Sequence, residues 1–427
     1  MIKKWEYGLS SSLPNPKRRH RFNYFACLTD VIGFSLGILF FNPDTLLPAF
    51  VSRLSPDKIW VGIVTAINIS GFFLPQLLAA SWVQRLTYKR IYVLTLALVE
   101  RAAIFSIVPL LLFHNSISAI TLLTIFCLFF ALHTLCMGCN GPAYFDLISK
   151  VIPTRQRGVM YGVGAGIGGL FGLAGMVLTG YLIQRFDFPY NYAACFFLGA
   201  TVLTISVIPL GFIDEPPSTP SDDKQLKTYF AEALDIFMTD RNFRFYLVSQ
   251  AFLSAFPTAI PFLTVLATET VAASELQIVW FTGILSAGRI LGQPVWGYIS
   301  DQRGNSIALV FNIFLAVIAV GLVFFAKSIW IFYLIFSLVS ISQSGLEIPS
   351  MNITLEFAKP ENVPTYVALR AAIIAPFRAL LPICTGPLIS GFGYQRTFGI
   401  LTIMILLSWL CMLQVKEPRF INKIDIN

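Results

Sequence analysis

Gly297-Tyr-Ile-Ser-Asp301-Gln-Arg303-Gly304 is a short charged turn, bounded by glycines and set between two long apolar runs. A worn copy lies 217 positions earlier, where Ala80-Ser-Trp-Val-Gln84-Arg85-Leu-Thr-Tyr-Lys89-Arg90 also separates two apolar runs. The match extends upstream at the same offset, with Gly71-Phe-Phe-Leu-Pro-Gln76 lying over Gly288-Arg-Ile-Leu-Gly-Gln293. Further along, Thr179-Gly-Tyr-Leu-Ile183 lies over Thr385-Gly-Pro-Leu-Ile389, and Pro142 and Pro153 lie over Pro349 and Pro360. One turn recurring half a chain apart in one setting is the mark of a duplicated architecture.

The runs flanking these turns decide the class. The chain has 427 residues, of which 56% are hydrophobic and 12% charged, about half the ~25% charged fraction of a soluble domain. The apolar runs are about 20 residues long, enough helix to cross roughly 30 Å of hydrocarbon. The fold class is an all-α polytopic membrane protein. Twelve spans are expected, near 23–46, 58–83, 91–113, 118–148, 158–184, 190–213, 243–268, 275–299, 305–326, 329–357, 364–390 and 394–415. They group into a six-helix bundle over 23–213 and a second over 243–415, with tails at 1–22 and 416–427. The linker 214–242 opens on Asp214-Glu215-Pro216-Pro217. It then places Leu226, Phe230, Ala233, Leu234 and Phe237 at helical spacing, as an amphipathic surface helix would.

The formal charge of +8 raises the question of nucleic acid, and the placement of the basic residues answers it. Alternate loops and the two tails carry 21 Lys and Arg, the opposite loops five. This is the positive-inside pattern, which puts both termini in the cytosol. The seven cysteines, an odd number lying mostly within apolar runs, are no disulfide framework. The first apolar run is too long for a signal-peptide core, so the basic tail leads into a true first span.

In its span count, repeat and loop signs the whole chain resembles the major facilitator superfamily. That family's loop between spans two and three reads Gly-x-x-x-Asp-Arg/Lys-x-Gly-Arg-Lys/Arg. The later copy keeps Gly297, Asp301 and Gly304; the earlier keeps Arg85 and Lys89 but has Ala80, Gln84 and Thr87 at the Gly, Asp and Gly positions. Ile152-Pro153-Thr-Arg155-Gln-Arg157-Gly158 is also similar to the family pattern before span five, whereas the antiporter Gly-Pro step within span five is missing. The resemblance implies two halves alternating around a central cavity lined by spans one, four, seven and ten.

Ionisable residues inside spans are costly and mark a polar cavity or a pair. Span one carries Asp30, with Gly37 and Asp44 at seven-residue steps on nearly the same face. Span four shows His133, Met137, Asn140 and Tyr144 on one face. The repeat puts Ser340, Ser344, Glu347 and Met351 at the matching positions of span ten and makes Gln250 of span seven the repeat partner of Asp30; the resemblance implies that Asn140 and Glu347 face each other across the cavity. Arg289 and Arg378 fall near mid-membrane, where a guanidinium fork suits a carboxylate or phosphate; their other reading is neutralisation of Asp30 and Glu347. Asp30 also has Arg101 as a possible structural partner, and His133 reads as a neutral imidazole bonded within the bundle. The adjacent Glu100 and Arg101 do not share a helix face and read as packing pairs with neighbouring spans.

The substrate cavity is therefore expected to involve Asp30, His133, Asn140, Tyr144, Gln250, Arg289, Glu347 and Arg378. Asp30 and Glu347 are the proton-coupling candidates, since low dielectric favours the neutral form of a carboxyl group. A cytosolic gate is expected from Asp301 capping span five beside Arg157, with Arg85 near Asp146 and Arg303 near Glu356 bracing each half. The expected function is secondary transport of a small amphipathic or organic-anion solute, by uptake or efflux, in a bacterial plasma membrane. The expected protein is monomeric, with no metal, cofactor, nucleic acid or enzymatic centre. A non-transporting membrane sensor on the same scaffold is the alternative. Gly164-Ala-Gly166-Ile-Gly-Gly169 spells a nucleotide-binding fingerprint but sits inside a span with no preceding strand. With Gly158, Gly162 and Gly172 it forms two stripes of small residues suited to helix packing.

Overall fold

The computed structural model describes residues 16–218, 236–358 and 363–419. The surface helix expected over 226–237 lies outside them, apart from Phe237. The described chain is helical, with no strand. Ten helical segments among these residues are long and apolar enough to cross a membrane. One of them is two spans joined through Gly393, a glycine at φ 78° within Val363–Met412. The more polar helix Glu275–Arg303 completes twelve.

The helices are α1 Pro16–Gly37, α2 Leu46–Leu54, α3 Ile59–Gln84, α4 Arg90–Leu112, α5 Ala119–Val151, α6 Thr154–Arg185 and α7 Tyr190–Val207. They continue with α8 Arg241–Leu253, α9 Ala255–Thr270, α10 Glu275–Arg303, α11 Asn305–Gly321, α12 Ile329–Ser344, α13 Glu347–Phe357 and α14 Val363–Met412. A break at Asn42-Pro43-Asp44 separates α1 from α2. There Asn42 Oδ1 accepts from the backbone N–H of Asp44 at 2.9 Å and of Thr45 at 3.1 Å, which starts the new helix.

The chain forms two compact units, one of Met1–Phe50 with Ile67–Asp223, the other of Val51–Ala66 with Lys224–Asn427. In the first, α1 lies against α6 and α7, and α4 against α5 and α7. In the second, α8 lies against α14, and α11 against α12 and α14. The duplication is thus visible as one neighbour pattern used twice. It extends to single contacts. A Cβ on Gly71 would stand 2.1 Å from Thr134 Oγ1, and one on Gly288 would stand 1.9 Å from Ser340 Oγ. The glycine lets the second span of each half touch a hydroxyl of the fourth. These contacts pair Thr134 with Ser340, one residue on from the His133–Ser340 alignment read in the sequence.

Of the two glycine stripes on α6, one packs and one does not. Gly164, Gly168 and Gly172 sit against Val31, Ser35 and Leu39 of the first span, whereas Gly158, Gly162 and Gly166 have nothing within 4 Å of an added Cβ. In the second unit, residues from Val51–Ala66 approach α14 at backbone distance: a Cβ on Gly62 would meet the Pro382 carbonyl, and one on Gly386 would meet that of Lys58. Arg53 pairs with Glu275, and Lys58 with Glu269.

Candidate functional site

The first unit holds a partly open cavity of about 290 Å³. Its wall is mostly apolar, with Phe34, Phe72 and Met137 among the lining residues. The polar groups converge on one side, where Asp30, Glu100, Arg101, Asn140, Tyr144 and Tyr161 also line it. Apolar walls with a few convergent polar groups are the usual form of a small-molecule site.

Helix geometry accounts for the convergence. Asp30 comes from the middle of α1, and Asn140 and Tyr144 stand one turn apart on α5. Glu100 and Arg101 are consecutive on α4, yet they bond to each other: Arg101 Nη1 donates to Glu100 Oε2 at 2.9 Å. This corrects the expectation that adjacency sends them to different neighbours. Both side chains are long enough to curl toward the same interior, where each is 5% exposed or less. Arg101 also donates to the carbonyls of Ala97 at 3.2 Å and Leu203 at 3.3 Å, so its fork is held from two helices.

Asp30 is buried, within Coulombic reach of Arg101 and beside the hydroxyls of Tyr144 and Ser206. Arg101, one of the two structural partners read for Asp30, is within Coulombic reach of it, while its hydrogen bonds go to Glu100, Ala97 and Leu203. His133 is buried between Phe41 and Phe130, with ring centroids 5.7 and 5.9 Å away. Its Nδ1 lies 3.5 Å from Glu100 Oε1. It does not line the cavity; Glu100 stands between. Asn140 Nδ2 donates to the Val93 carbonyl at 3.4 Å, and Asn140 Oδ1 and Tyr161 Oη have no hydrogen-bond partner among the described residues.

In the second unit, Gln250 is buried with its Nε2 unsatisfied. Arg378 is half-buried and within Coulombic reach of Glu347, Arg370 and Tyr246. Glu347 is exposed. Arg289 donates from Nη2 to Gln343 Oε1 at 3.2 Å on α12. The expected pairing of Arg378 with Glu347 is therefore close in space, and Gln343 is a partner of Arg289 that the sequence did not suggest.

The braces near the loops use other partners than expected. Asp146 pairs with Lys89 Nζ at 3.3 Å, where the sequence suggested Arg85, which is exposed. Glu356 accepts from Asn305 Nδ2 at 2.8 Å and pairs with Arg419 Nε, where the sequence suggested Arg303. Arg157 donates from Nε to the Ile152 carbonyl at 2.8 Å and from Nη2 to the Ser149 carbonyl, closing the turn before α6. Asp301 is exposed in the last turn of α10.

Sequence reading also missed a clasp that each half makes with its final residues. Glu215 accepts from the backbone N–H of Lys89 and of Arg90, both at 2.8 Å, and pairs with Lys150 at 2.7 Å. Glu417 accepts from the N–H and hydroxyl of Ser306 at 2.8 and 2.6 Å. Each carboxylate sits at the exposed N–H groups of a helix start, α4 or α11, where negative charge is favoured. The hint was the repeated Glu-Pro step, Glu215-Pro216 and Glu417-Pro418, after the last span of each half.

Repeated six-helix units, spans of membrane length and ionisable side chains buried within them define a polytopic protein of the solute-carrier kind. The chain belongs to the major facilitator superfamily, whose family model matches residues 30–268 and again 246–424. No curated protein sequence matches it. Among solved structures it is similar to a point mutant of the nucleoside transporter NupG, at 12% identity and TM-score 0.70, covering 93% of this chain and 100% of that one. It is also similar to a bacterial homologue of the human lysosomal transporter Spinster, inward-facing and unoccupied, at 14% identity and TM-score 0.66, covering 92% and 97%. A POT family transporter in complex with 5-aminolevulinic acid is similar at 13% identity and TM-score 0.66, covering 93% and 96%. At these identities the likeness is one of fold.

Proposed function

We propose that the chain is a secondary transporter that moves a small amphipathic organic anion by alternating access of its two halves, in a bacterial plasma membrane with both termini cytosolic. The observation that carries the solute class is the Arg101 guanidinium in the wall of a mostly apolar cavity, where it stands beside Asp30 and Glu100. A planar fork fixed by two backbone carbonyls is preorganised for a carboxylate or phosphate, and the Phe and Met walls take an apolar body. Arg378 and Arg289 supply further cationic groups in the second half, and the solved transporters of the same fold support the mode of action.

The test is flux in proteoliposomes, with aromatic and aliphatic carboxylates compared against neutral and cationic analogues of the same size. Saturable movement of the anions is expected. Arg101→Lys keeps the charge but loses the fork, so anion flux should fall roughly tenfold, the loss of about one charge-assisted hydrogen bond. Preference for cations would overturn the solute class. Tight binding without flux would favour a sensor on the same scaffold.

A further inference from the structure

Two guanidiniums on the eleventh span stand within reach of each other, with little to balance them. Arg370 and Arg378 are eight residues apart on α14, a spacing that keeps them on one side of the helix. Arg378 lies within Coulombic reach of Arg370 and of one carboxylate, Glu347. Glu347 is exposed, in the first turn of α13. Asp240, at the start of α8, is engaged elsewhere. It accepts from the Phe243 N–H at 2.8 Å and from the Tyr366 hydroxyl at 3.1 Å. The pair of arginines is therefore one negative charge short even with Glu347 in place. Charges inside a span are costly and call for a counter-ion.

Two donor atoms mark where that counter-ion sits. Arg370 Nε and Gln250 Nε2 are buried with no hydrogen-bond partner among the described residues. Gln250 is 3% exposed, and a buried donor left unpaired is costly. Helix register brings it to the arginines. Phe243 and Gln250 are seven residues apart on one face of α8. Phe243 lies on Tyr366 of α14, with ring centroids 4.5 Å apart. Spans seven and eleven run in the same direction, and seven residues on from Tyr366 is Ile373. Gln250 thus comes level with a point between Arg370 and Arg378. Tyr246, one turn earlier on the same face, is also within Coulombic reach of Arg378. Its hydroxyl, however, donates to the Ser350 carbonyl at 2.6 Å.

We propose that Arg370, Arg378 and Gln250 form an anion site in the second unit, and that it takes a doubly charged head, either one phosphate monoester or two neighbouring carboxylates. Two guanidinium forks and an amide N–H present donors, which fits a group made of acceptors. Glu347 is the ligand's internal competitor. Being exposed, it turns to water as the ligand enters and leaves both positive charges to the ligand. That the occupant is the transported solute rests on the transport reading above; the site itself does not.

Three probes with one aromatic body test the charge. Benzoate carries one charge, phthalate two on separate carboxylates, and phenyl phosphate two on one head at about pH 8. In calorimetry on the purified full chain, phthalate or phenyl phosphate should bind about tenfold tighter than benzoate, the worth of one hydrogen bond to a charged group. Whichever dianion binds tighter names the head. Arg370→Gln and Gln250→Leu should each abolish the preference for dianions. Glu347→Gln should raise dianion affinity severalfold, because the competitor is gone. Gln250→Leu also removes an unpaired donor, so without ligand it should unfold no lower than the wild type. A lower unfolding temperature with the dianion preference intact would assign Gln250 to packing and overturn the site. Equal affinity of the wild type for all three probes, or a preference untouched by Arg370→Gln, also overturns it. In proteoliposomes, dianion binding without flux would keep the site and remove the transport reading. Benzoate flux with no preference for dianions would keep transport and remove the site.

Discussion

At the scale of single residues, a glycine decides how closely two helices meet. A Cβ on Gly138 of α5 would stand 2.4 Å from the Gly71 carbonyl and 2.6 Å from that of Phe72. Backbone cannot yield as a side-chain tip does, so Gly138→Ala must push α3 and α5 apart, at a cost of about 1–3 kcal/mol. A fall of several degrees in the unfolding temperature is expected in detergent. Gly162→Ala, with nothing within 4 Å, should leave that temperature unchanged or raise it, because alanine is the better helix former. If the two variants unfold together, the close approach at Gly138 does not exist in solution. Residue-level legibility was uneven for a related reason. Asp30 was visible in the sequence because a carboxylate in an apolar run is anomalous on sight. The Glu100–Arg101 bond was not, because the rule that adjacent residues diverge holds for short side chains and fails for two long ones reaching into one cavity.

At the scale of elements, local caps follow local rules and distant caps do not. Ser274 and Gln277 form a reciprocal capping box at the start of α10, three residues apart and readable from sequence. The start of α4 is capped instead by Glu215, 125 residues beyond Arg90. No window along the chain contains both ends of that bond. Glu215→Ala would strip two backbone N–H groups and Lys150 of their partner, so a loss of about 1–2 kcal/mol is expected. Glu215→Gln keeps acceptor capacity and should lose less. Equal thermal stability of Glu215→Ala and the wild type would show that water replaces the clasp fully. Likewise, Glu356 is held by Arg419 across 63 residues, which is why the nearer Arg303 looked like the natural partner.

At the scale of the whole molecule, the sequence was most informative. Twelve spans followed from run length, because hydrocarbon permits few backbone solutions; the repeat followed from the aligned turns, and the family from the resemblance those turns carry. What it could not supply was the arrangement of side chains brought together from α1, α4 and α5. The repeated turn belongs to this scale. Only the later copy keeps its carboxylate, Asp301, and Gln84 stands in the earlier one. Asp301→Asn should slow flux several times more than Gln84→Ala, since a hydrogen bond to a charged group is worth about 1.5–3 kcal/mol against 0.5–1.5 for a neutral one. Equal effects would reduce the turn to a relic of duplication.

The paired clasps also bear on how the protein is made. Glu215 emerges from the ribosome before any helix of the second bundle, and the groups it binds, at Lys89, Arg90 and Lys150, are already in the membrane by then. The first half can thus seal the start of α4 during translation, with nothing borrowed from downstream. Glu417 does the same for α11 only after the spans of the second bundle have been made. A chain truncated after about residue 240 should already resist protease at the α4 start, whereas one truncated before Glu417 should leave the α11 start open to cleavage. Quality control that samples unfinished chains would then find the second bundle the vulnerable one.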